Sequence, residues 1–277
     1  MTSSNSTSAK IIPRLSNERG QTNIGWLNSF HTFSVASYID LKHERWGCLR
    51  VMNEDRVEAH TGFPLHNHQE FEILSYIISG ELEQLCNLFF SNDSMGNMEI
   101  LKRGDIQMTS AGTGIRHSEY AHGEQQVHFI QIWSIPEKHG LSPQYFTRHF
   151  TDEEKKDKFV KVVSHTSDPE VEEKRDGSGP APIHSPLTLY ASLLSPGSIV
   201  NQTINQSKAF IHVIQSSGYN GGMPNGGSIR VNKETELREG DGAYIARTDI
   251  AFPDGGNELV IENVGRSVIE VLLFSLG

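Results

Sequence analysis

The segment G-F-P-L-H-N-H at residues 62–68 and the segment A-G-T-G-I-R-H-S-E-Y at residues 111–120 frame the most informative part of this chain. Between them lies a run of apolar, β-branched and aromatic residues that is interrupted by Gly80 and Gly104. Residues of these types favour strands, and glycine at an interruption favours a turn. The sequence between the two segments is therefore predicted to fold as short β-strands.

Each segment carries two potential metal ligands that are two residues apart. His66 and His68 form the first pair, and His117 and Glu119 form the second. Residues i and i+2 of a strand point to the same face, so each pair projects two ligand groups in one direction. If the two strands face one another across a barrel interior, three imidazoles and one carboxylate surround one point. This donor set suits a divalent transition metal and favours iron over a structural zinc site.

Length and charge narrow the functional classes. The chain has 277 residues, which is enough for one or two domains with a sizeable core. Its net charge of −10 and isoelectric point near 5.7 argue against direct binding to nucleic acid or to an anionic membrane. No run of 18 apolar residues is present, so no transmembrane helix is expected.

The N-terminal residues and the two cysteines indicate the cellular compartment of the protein. The first ten residues, M-T-S-S-N-S-T-S-A-K, lack the apolar centre of a secretory signal. The spacing of Cys48 and Cys86 does not indicate a disulfide, which favours a reducing compartment. We therefore expect a cytoplasmic protein, with the nucleus as a second compartment.

A similar pattern occurs twice in the chain. L-K-R-G-D-I-Q-M at residues 101–108 is echoed by L-R-E-G-D-G-A-Y at residues 237–244, and an apolar strand follows each. This repetition predicts two domains of one type, each a β-sandwich or barrel. The second copy has neither H-x-H nor H-x-E, and we interpret His212 on its apolar strand as a core residue. The chemistry is therefore assigned to the first domain.

These patterns give predicted boundaries. We expect a disordered tail at 1–13, an N-terminal metal-binding domain at 14–136 and a C-terminal domain without metal ligands at 188–277. The segment 137–187 is rich in charge, proline and glycine, so it is predicted to be a linker with an exposed insertion.

The two histidine segments, together with E-I-L-S-Y at residues 72–76, resemble the pirin family, in particular bacterial pirin-like proteins that act as quercetinases. The resemblance implies an all-β fold of two cupin-type, jelly-roll-like antiparallel β-barrels in tandem. It also implies one divalent metal per chain, Fe(II) or another transition metal, held by His66, His68, His117 and Glu119. Ordinary cupins use the carboxylate at the position of Glu72, so Glu119 and Glu72 both remain candidates for the fourth ligand and for the catalytic base.

The resemblance implies a metal-dependent dioxygenase that opens the heterocycle of quercetin-like flavonols with O₂ and releases carbon monoxide. The substrate would be a small flavonol-like aromatic molecule, and another enolic or catecholic molecule is a further possibility. Animal pirins, which are iron-dependent redox-sensing cofactors of transcription regulators, offer a non-enzymatic alternative with a transcription regulator as partner. His31 is interpreted as a packing residue. The substrate pocket is expected to be lined by Phe63, Phe71, Ile73, Met108 and Trp133.

Overall fold

The computed structural model describes residues 10–88, 97–218, 226–246 and 258–277, and nearly all regular structure in them is β-strand. The strands up to residue 134 are β1 (Lys10–Arg14), β2 (Gly20–Asn23), β3 (Leu27–His31), β4 (Leu49–Val57), β5 (Gly62–His68), β6 (Glu72–Ser79), β7 (Glu81–Leu88), β8 (Asn97–Lys102), β9 (Asp105–Ser110), β10 (Ile115–His122) and β11 (Val127–Ser134). The later strands are β12 (Gln144–His149), β13 (Val160–His165), β14 (Ala181–Ile183), β15 (Leu187–Leu194), β16 (Ile199–Thr203), β17 (Lys208–Val213), β18 (Ser228–Val231), β19 (Thr235–Arg238), β20 (Gly242–Ala246), β21 (Glu258–Asn263) and β22 (Ile269–Leu276). A short helix, α1, spans Asp152–Lys155, and a 3-10 turn spans Ser16–Glu18.

The chain divides into two compact units. The N-terminal unit comprises Arg19–Glu154 and Lys161–Thr188, and the C-terminal unit comprises residues 10–18, Lys155–Val160 and Leu189–Gly277. Each unit contains a larger sheet and a four-stranded sheet. The predicted all-β, cupin-type fold is thus confirmed, with open, paired sheets in place of closed barrels.

The N-terminal unit has a seven-stranded sheet in the order β12-β9-β6-β11-β4-β3-β2 and a four-stranded sheet in the order β5-β10-β7-β8. Apolar side chains from both sheets form its core, with Leu27, Val57 and Ile77 from the larger sheet and Leu82 and Leu101 from the smaller one. Because alternate residues of a strand face the core, this packing fixes which residues of β5 and β10 point inward.

The C-terminal unit pairs the strands β1-β20-β17-β22-β15 in one sheet and β16-β21-β18-β19 in the other. Its interior is filled by aliphatic side chains, among them Ile211, Val213, Ile229 and Leu273. His212 is fully buried on β17. An apolar core therefore occupies the interior of this unit.

Two of the predicted boundaries need correction. Residues 10–13, expected in the tail, belong to β1, which pairs with β20 from Lys10↔Ala246 to Arg14↔Gly242. Residues 137–187, expected to be a linker, contain β12 at the edge of the large sheet and the parallel pair β13 and β14. Arg148 of β12 donates to the carbonyl oxygens of Glu172 (2.6 Å) and Arg175 (2.8 Å), so the charged insertion is held against the unit.

None of the helices in the described ranges is long and apolar enough to cross a membrane.

Candidate metal centre and adjoining cavity

The two histidine segments form neighbouring strands of one sheet. β10 pairs with β5 in antiparallel register, with His117 opposite His66, and the register shifts between His117 and Glu119. The two strands are therefore neighbours in one sheet and do not face one another across a barrel interior, which was the arrangement considered from the sequence. Directly paired residues project to the same side of a sheet, so adjacency brings the imidazoles together just as effectively.

Three imidazoles converge at this point. The ring centroids lie 4.8 Å apart for His66 and His68, 4.5 Å for His66 and His117, and 4.8 Å for His68 and His117. One ligand nitrogen from each ring lies within 4.8 Å of the others. His117 is fully buried, His68 is buried and His66 is half-buried. Among the potential ligand residues that the structure describes, these three histidines are the group arranged to hold a metal ion.

Hydrogen bonding fixes the tautomer of His66. Its Nδ1 lies 2.8 Å from the carbonyl oxygen of Pro64, which can only accept, so Nδ1 carries the proton. Nε2 of His66 therefore presents a lone pair, and it lies 3.0 Å from Nε2 of His117. A metal-binding histidine is usually oriented in this way, by donating its other ring N–H to a backbone carbonyl or a carboxylate.

The side chain of Gln84 contacts Nδ1 of His117, the ring nitrogen that faces away from His66. The Gln84 amide lies on β7, with Nε2 at 3.1 Å from Nδ1 of His117, while Oε1 is buried and has no hydrogen-bond partner among the described residues. Rotation of the side-chain amide by half a turn exchanges the positions of Nε2 and Oε1. Oε1 then accepts the Nδ1 proton, and Nε2 of His117 presents its lone pair beside that of His66. Only this orientation of Gln84 allows His117 to act as a ligand through Nε2.

His68 supplies the sharpest sign of a ligand. Its Nε2 is buried and has no hydrogen-bond partner in the described part of the chain. Burial, reinforced by the neighbouring histidines, lowers the pKa of His68 to about 3, and burial followed by the influence of His66 lowers the pKa of His117 to about 3. Both rings are therefore neutral near pH 7, as nitrogen ligands must be. The donor set thus fits a divalent transition metal.

Glu119, the fourth ligand in the predicted set, lies in the same region but is not in the group whose ligand atoms converge within 4.8 Å, and other side chains hold its carboxylate. Its carboxylate oxygens accept hydrogen bonds from Ser75 Oγ (3.1 Å) and from Gln131 Nε2 (3.2 Å). Burial raises the pKa of Glu119, while His66 and these two hydrogen bonds oppose the rise. The structure therefore places Glu119 beside the three imidazoles as a buried carboxyl group with a fixed orientation.

Glu72 points elsewhere, although it was the alternative candidate for ligand and base. Its fully buried carboxylate accepts hydrogen bonds from the backbone N–H (2.8 Å) and Nδ1 (3.0 Å) of His184, and from the backbone N–H (2.7 Å) and Oγ (2.6 Å) of Ser185. These four hydrogen bonds occupy the acceptor positions that the two oxygens of a carboxylate offer. Glu72 therefore anchors the 184–185 segment to β6 and is not available to the histidine cluster.

A cavity of about 190 Å³ adjoins the cluster. His66 and Glu119 line it together with the aromatic side chains of Phe63 and Trp133. Phe63 and Trp133 were among the predicted lining residues. Three others were predicted with them but do not line the cavity: Ile73 and Met108 are buried in the core, and Phe71 packs against Trp133 with ring centroids 5.5 Å apart.

The cavity also has a polar wall that the sequence did not indicate. Thr22, Ser29, His31, Asn53 and Asp55 line it, all from β2, β3 and β4. His31, interpreted from the sequence as a packing residue, bonds to Thr22 Oγ1 through Nε2 (2.8 Å) and to Asn53 Oδ1 through Nδ1 (3.0 Å). These residues are far apart in sequence or surrounded by ordinary strand residues, so the strand register alone brings them together.

Comparison with known proteins decides the family. The Pirin family profile matches residues 13–134. A protein named quercetin 2,3-dioxygenase from Escherichia coli (strain K12) is 38% identical over 209 residues, which is 75% of this chain and 82% of that protein. The chain belongs to the pirin family.

Solved pirin structures share the fold across nearly the whole chain. The crystal structure of YhhW from Escherichia coli matches with a TM-score of 0.77 at 32% identity, over 97% of this chain and 98% of that one. A second structure, of bacterial pirin YhhW in complex with nickel(II), matches with a TM-score of 0.74 at 31% identity, over 96% and 99% of the two chains.

Proposed function

We propose that this pirin is a metal-dependent dioxygenase of quercetin-like flavonols, with one divalent metal ion, Fe(II), held by His66, His68 and His117. The observation that carries the proposal is the convergence of three imidazoles, beside a buried carboxyl group and at the edge of an aromatic-lined cavity. Burial keeps two of these rings, His68 and His117, neutral. Support for the substrate class comes from the Escherichia coli relative named quercetin 2,3-dioxygenase. Support for a bound divalent metal comes from the related bacterial pirin YhhW, whose structure was solved in complex with nickel(II).

A divalent ion at the three histidines would supply Lewis acidity that favours ionisation of the flavonol 3-hydroxyl group. Glu119 is the proton acceptor in this proposal, through the carboxylate that Ser75 and Gln131 hold in place. A carboxyl whose pKa is raised by burial is better matched to this task than one exposed to water. Phe63 and Trp133 hold the flat substrate ring and exclude water.

The overall reaction consumes one flavonol and one O₂, opens the heterocycle and releases one carbon monoxide. Both oxygen atoms of O₂ end in the organic product, and no external reductant is required because the ionised flavonol is itself electron-rich. The protein's contribution is therefore positioning, proton acceptance and exclusion of water, which is what the described residues around the cavity are suited to provide.

An aerobic assay tests the proposal. Metal-loaded protein should consume quercetin, monitored by loss of its visible absorbance, whereas protein stripped with a chelator should not. Re-addition of Fe(II) to the stripped protein should restore the rate. Quercetin that remains intact in the presence of fully metal-loaded protein would show that the chain has another function.

A further inference from the structure

The inner face of the large sheet carries a row of polar residues that leads away from the histidine cluster. Strand register places Ser75 opposite Gln131, Gln131 opposite Asn53, and Asn53 opposite His31. Paired residues share a face, so these side chains line up across β6, β11, β4 and β3. Glu119 is bonded to the Ser75–Gln131 end of this row, and the cavity lies along the row as far as His31.

Hydrogen bonds orient the amide of Asn53. His31 donates from Nδ1 to Oδ1 of Asn53 at 3.0 Å, and its Nε2 accepts from the hydroxyl of Thr22 at 2.8 Å. The lowered pKa of His31, caused mainly by burial, agrees with a neutral ring in this tautomer. With Oδ1 used in this way, the Nδ2 group of Asn53 remains as a donor.

Asp55 is oriented by a separate contact. Residues 53 and 55 are two apart on β4, so they point to the same face. The hydroxyl of Ser29 donates to Oδ1 of Asp55. In the described part of the chain, neither Oδ2 of Asp55 nor Nδ2 of Asn53 has a hydrogen-bond partner, although both residues are more than nine-tenths buried and line the cavity.

Both residues line the cavity, so a molecule bound there can complete the hydrogen bonding of these two atoms. Nδ2 of Asn53 is a donor. Burial raises the pKa of Asp55 to about 7, so above that pH the carboxyl group is ionised and its Oδ2 is an acceptor. A donor and an acceptor that line one cavity are the pair needed to bind a hydroxyl group, which accepts one hydrogen bond and donates another. The cavity volume of about 190 Å³ is only slightly larger than the ~150 Å³ apolar cavity known to hold benzene, so it accommodates one aromatic ring.

We propose that Asn53 and Asp55 form a second substrate subsite, which binds a hydroxyl group on an aromatic ring inserted into the cavity. The substrate is thereby a polyhydroxylated aromatic molecule: one oxygen group lies at the histidine cluster, and a separate ring hydroxyl lies at Asn53 and Asp55. This inference rests on the proposed function for the identity of the substrate, and it adds the feature by which substrates are distinguished. Thr22, Ser29 and His31 are positioning residues for this subsite.

Comparison of two flavonols distinguishes binding at the Asn53–Asp55 subsite from binding at the histidine cluster. Quercetin and 3-hydroxyflavone share the 3-hydroxy-4-keto group, but 3-hydroxyflavone lacks the other ring hydroxyls. Binding of each to metal-loaded protein is measured anaerobically through quenching of tryptophan fluorescence, and turnover is then measured on the same samples with O₂. Wild-type protein should bind quercetin about 10-fold or more tightly than 3-hydroxyflavone, the usual worth of one or two hydrogen bonds.

Asp55→Asn has nearly the same shape and can still accept from Ser29, but it presents an amide where the carboxyl oxygen was. This variant should lose most of the preference for quercetin while its affinity for 3-hydroxyflavone stays within about 3-fold of wild type. Should Asp55→Asn fail to fold, Thr22→Val and Thr22→Ser form a second test. Thr22→Val removes the hydroxyl that fixes His31 and should reduce the preference, whereas Thr22→Ser keeps the hydroxyl and should retain it.

The outcomes distinguish this inference from the proposed function. Equal affinity of wild-type protein for the two flavonols, or an undiminished preference in both Asp55→Asn and Thr22→Val, would overturn the subsite whether or not quercetin is consumed. A preference that is present in binding and lost in the variants, without consumption of quercetin, would support the subsite and contradict the proposed reaction.

Discussion

Nε2 of His66 and Nε2 of His117 lie 3.0 Å apart, on directly opposed residues of neighbouring strands. The other nitrogen of each ring is engaged, by the Pro64 carbonyl for His66 and by the Gln84 amide for His117. The two rings are therefore fixed with their remaining nitrogens at one point, and the orphaned Nε2 of His68 belongs to the same cluster. Replacement of any one of these groups should have a measurable and specific consequence.

His66→Ala should remove most of the bound metal, because two imidazoles form an incomplete ligand set. The measurement is elemental analysis after anaerobic loading with Fe(II) and gel filtration. His60→Ala is the matched control, since His60 is an exposed histidine whose Nε2 lies 3.1 Å from Glu124 at the surface. Full metal occupancy in His66→Ala would show that the ligand set is wrong.

The variants Gln84→Leu and Gln84→Glu should differ in metal affinity, with the leucine variant binding the metal more weakly. Leucine removes the group that orients His117, and loss of such an orienting partner typically costs 10- to 100-fold in affinity. Glutamate retains an acceptor for Nδ1–H and should hold the metal at least as well as wild type. Competition with a chromophoric chelator gives the two affinities. Equal affinities for the two variants would mean that Gln84 does not orient His117.

Glu119→Gln should lower kcat/KM for quercetin by about 100-fold or more, the usual size of a general-base contribution. The variant keeps the shape of the side chain, so Ser75 and Gln131 still surround it. Glu83→Gln is the control, because Glu83 lies on neighbouring β7 and pairs with His122 at 3.1 Å near the surface. An unchanged rate in Glu119→Gln would remove Glu119 from the proposed reaction.

Glu72→Gln should destabilise the protein without removing the metal. The carboxylate accepts four hydrogen bonds from His184 and Ser185, whereas an amide offers one oxygen and turns a donor toward these groups. We expect the free energy of unfolding to fall by about 2–4 kcal/mol, measured by chemical denaturation. Metal loss at unchanged stability would restore Glu72 as a ligand.

His184 should make part of this stability dependent on pH. The hydrogen bond to Glu72 raises the pKa of His184 above its ordinary value of 6.5. The protonated ring is therefore favoured by folding, so its contribution is fully present below pH 6.5 and is lost as pH rises through the raised pKa. The stability difference between wild type and His184→Gln should be larger at about pH 6 than at about pH 9. The opposite trend in denaturation experiments would contradict this assignment.

Local patterns in the sequence predicted the histidine cluster, because the i, i+2 spacing of His66 and His68 dictates a shared face on any strand. They could not show whether the second strand was a neighbour or lay opposite, since pairing depends on contacts far along the chain. The role of Glu72 could not be decided from the sequence for the same reason: its partner His184 is 112 residues away. The polar wall was missed because Asn53, His31 and Asp55 become a unit only through the register of β3 and β4. Similarly, β1 pairs with a strand more than two hundred residues later, which its local composition does not reveal.

The yield of carbon monoxide per quercetin consumed tests the proposed function most directly. Fe(II)-loaded wild-type protein is mixed with quercetin and ¹⁸O₂, the gas phase is analysed for carbon monoxide, and the organic product is analysed by mass spectrometry. We predict equimolar carbon monoxide and a product that carries two ¹⁸O atoms, with neither formed by His66→Ala. Consumption of quercetin without carbon monoxide, or no consumption by fully metal-loaded protein, would contradict the assignment of this pirin as a flavonol dioxygenase.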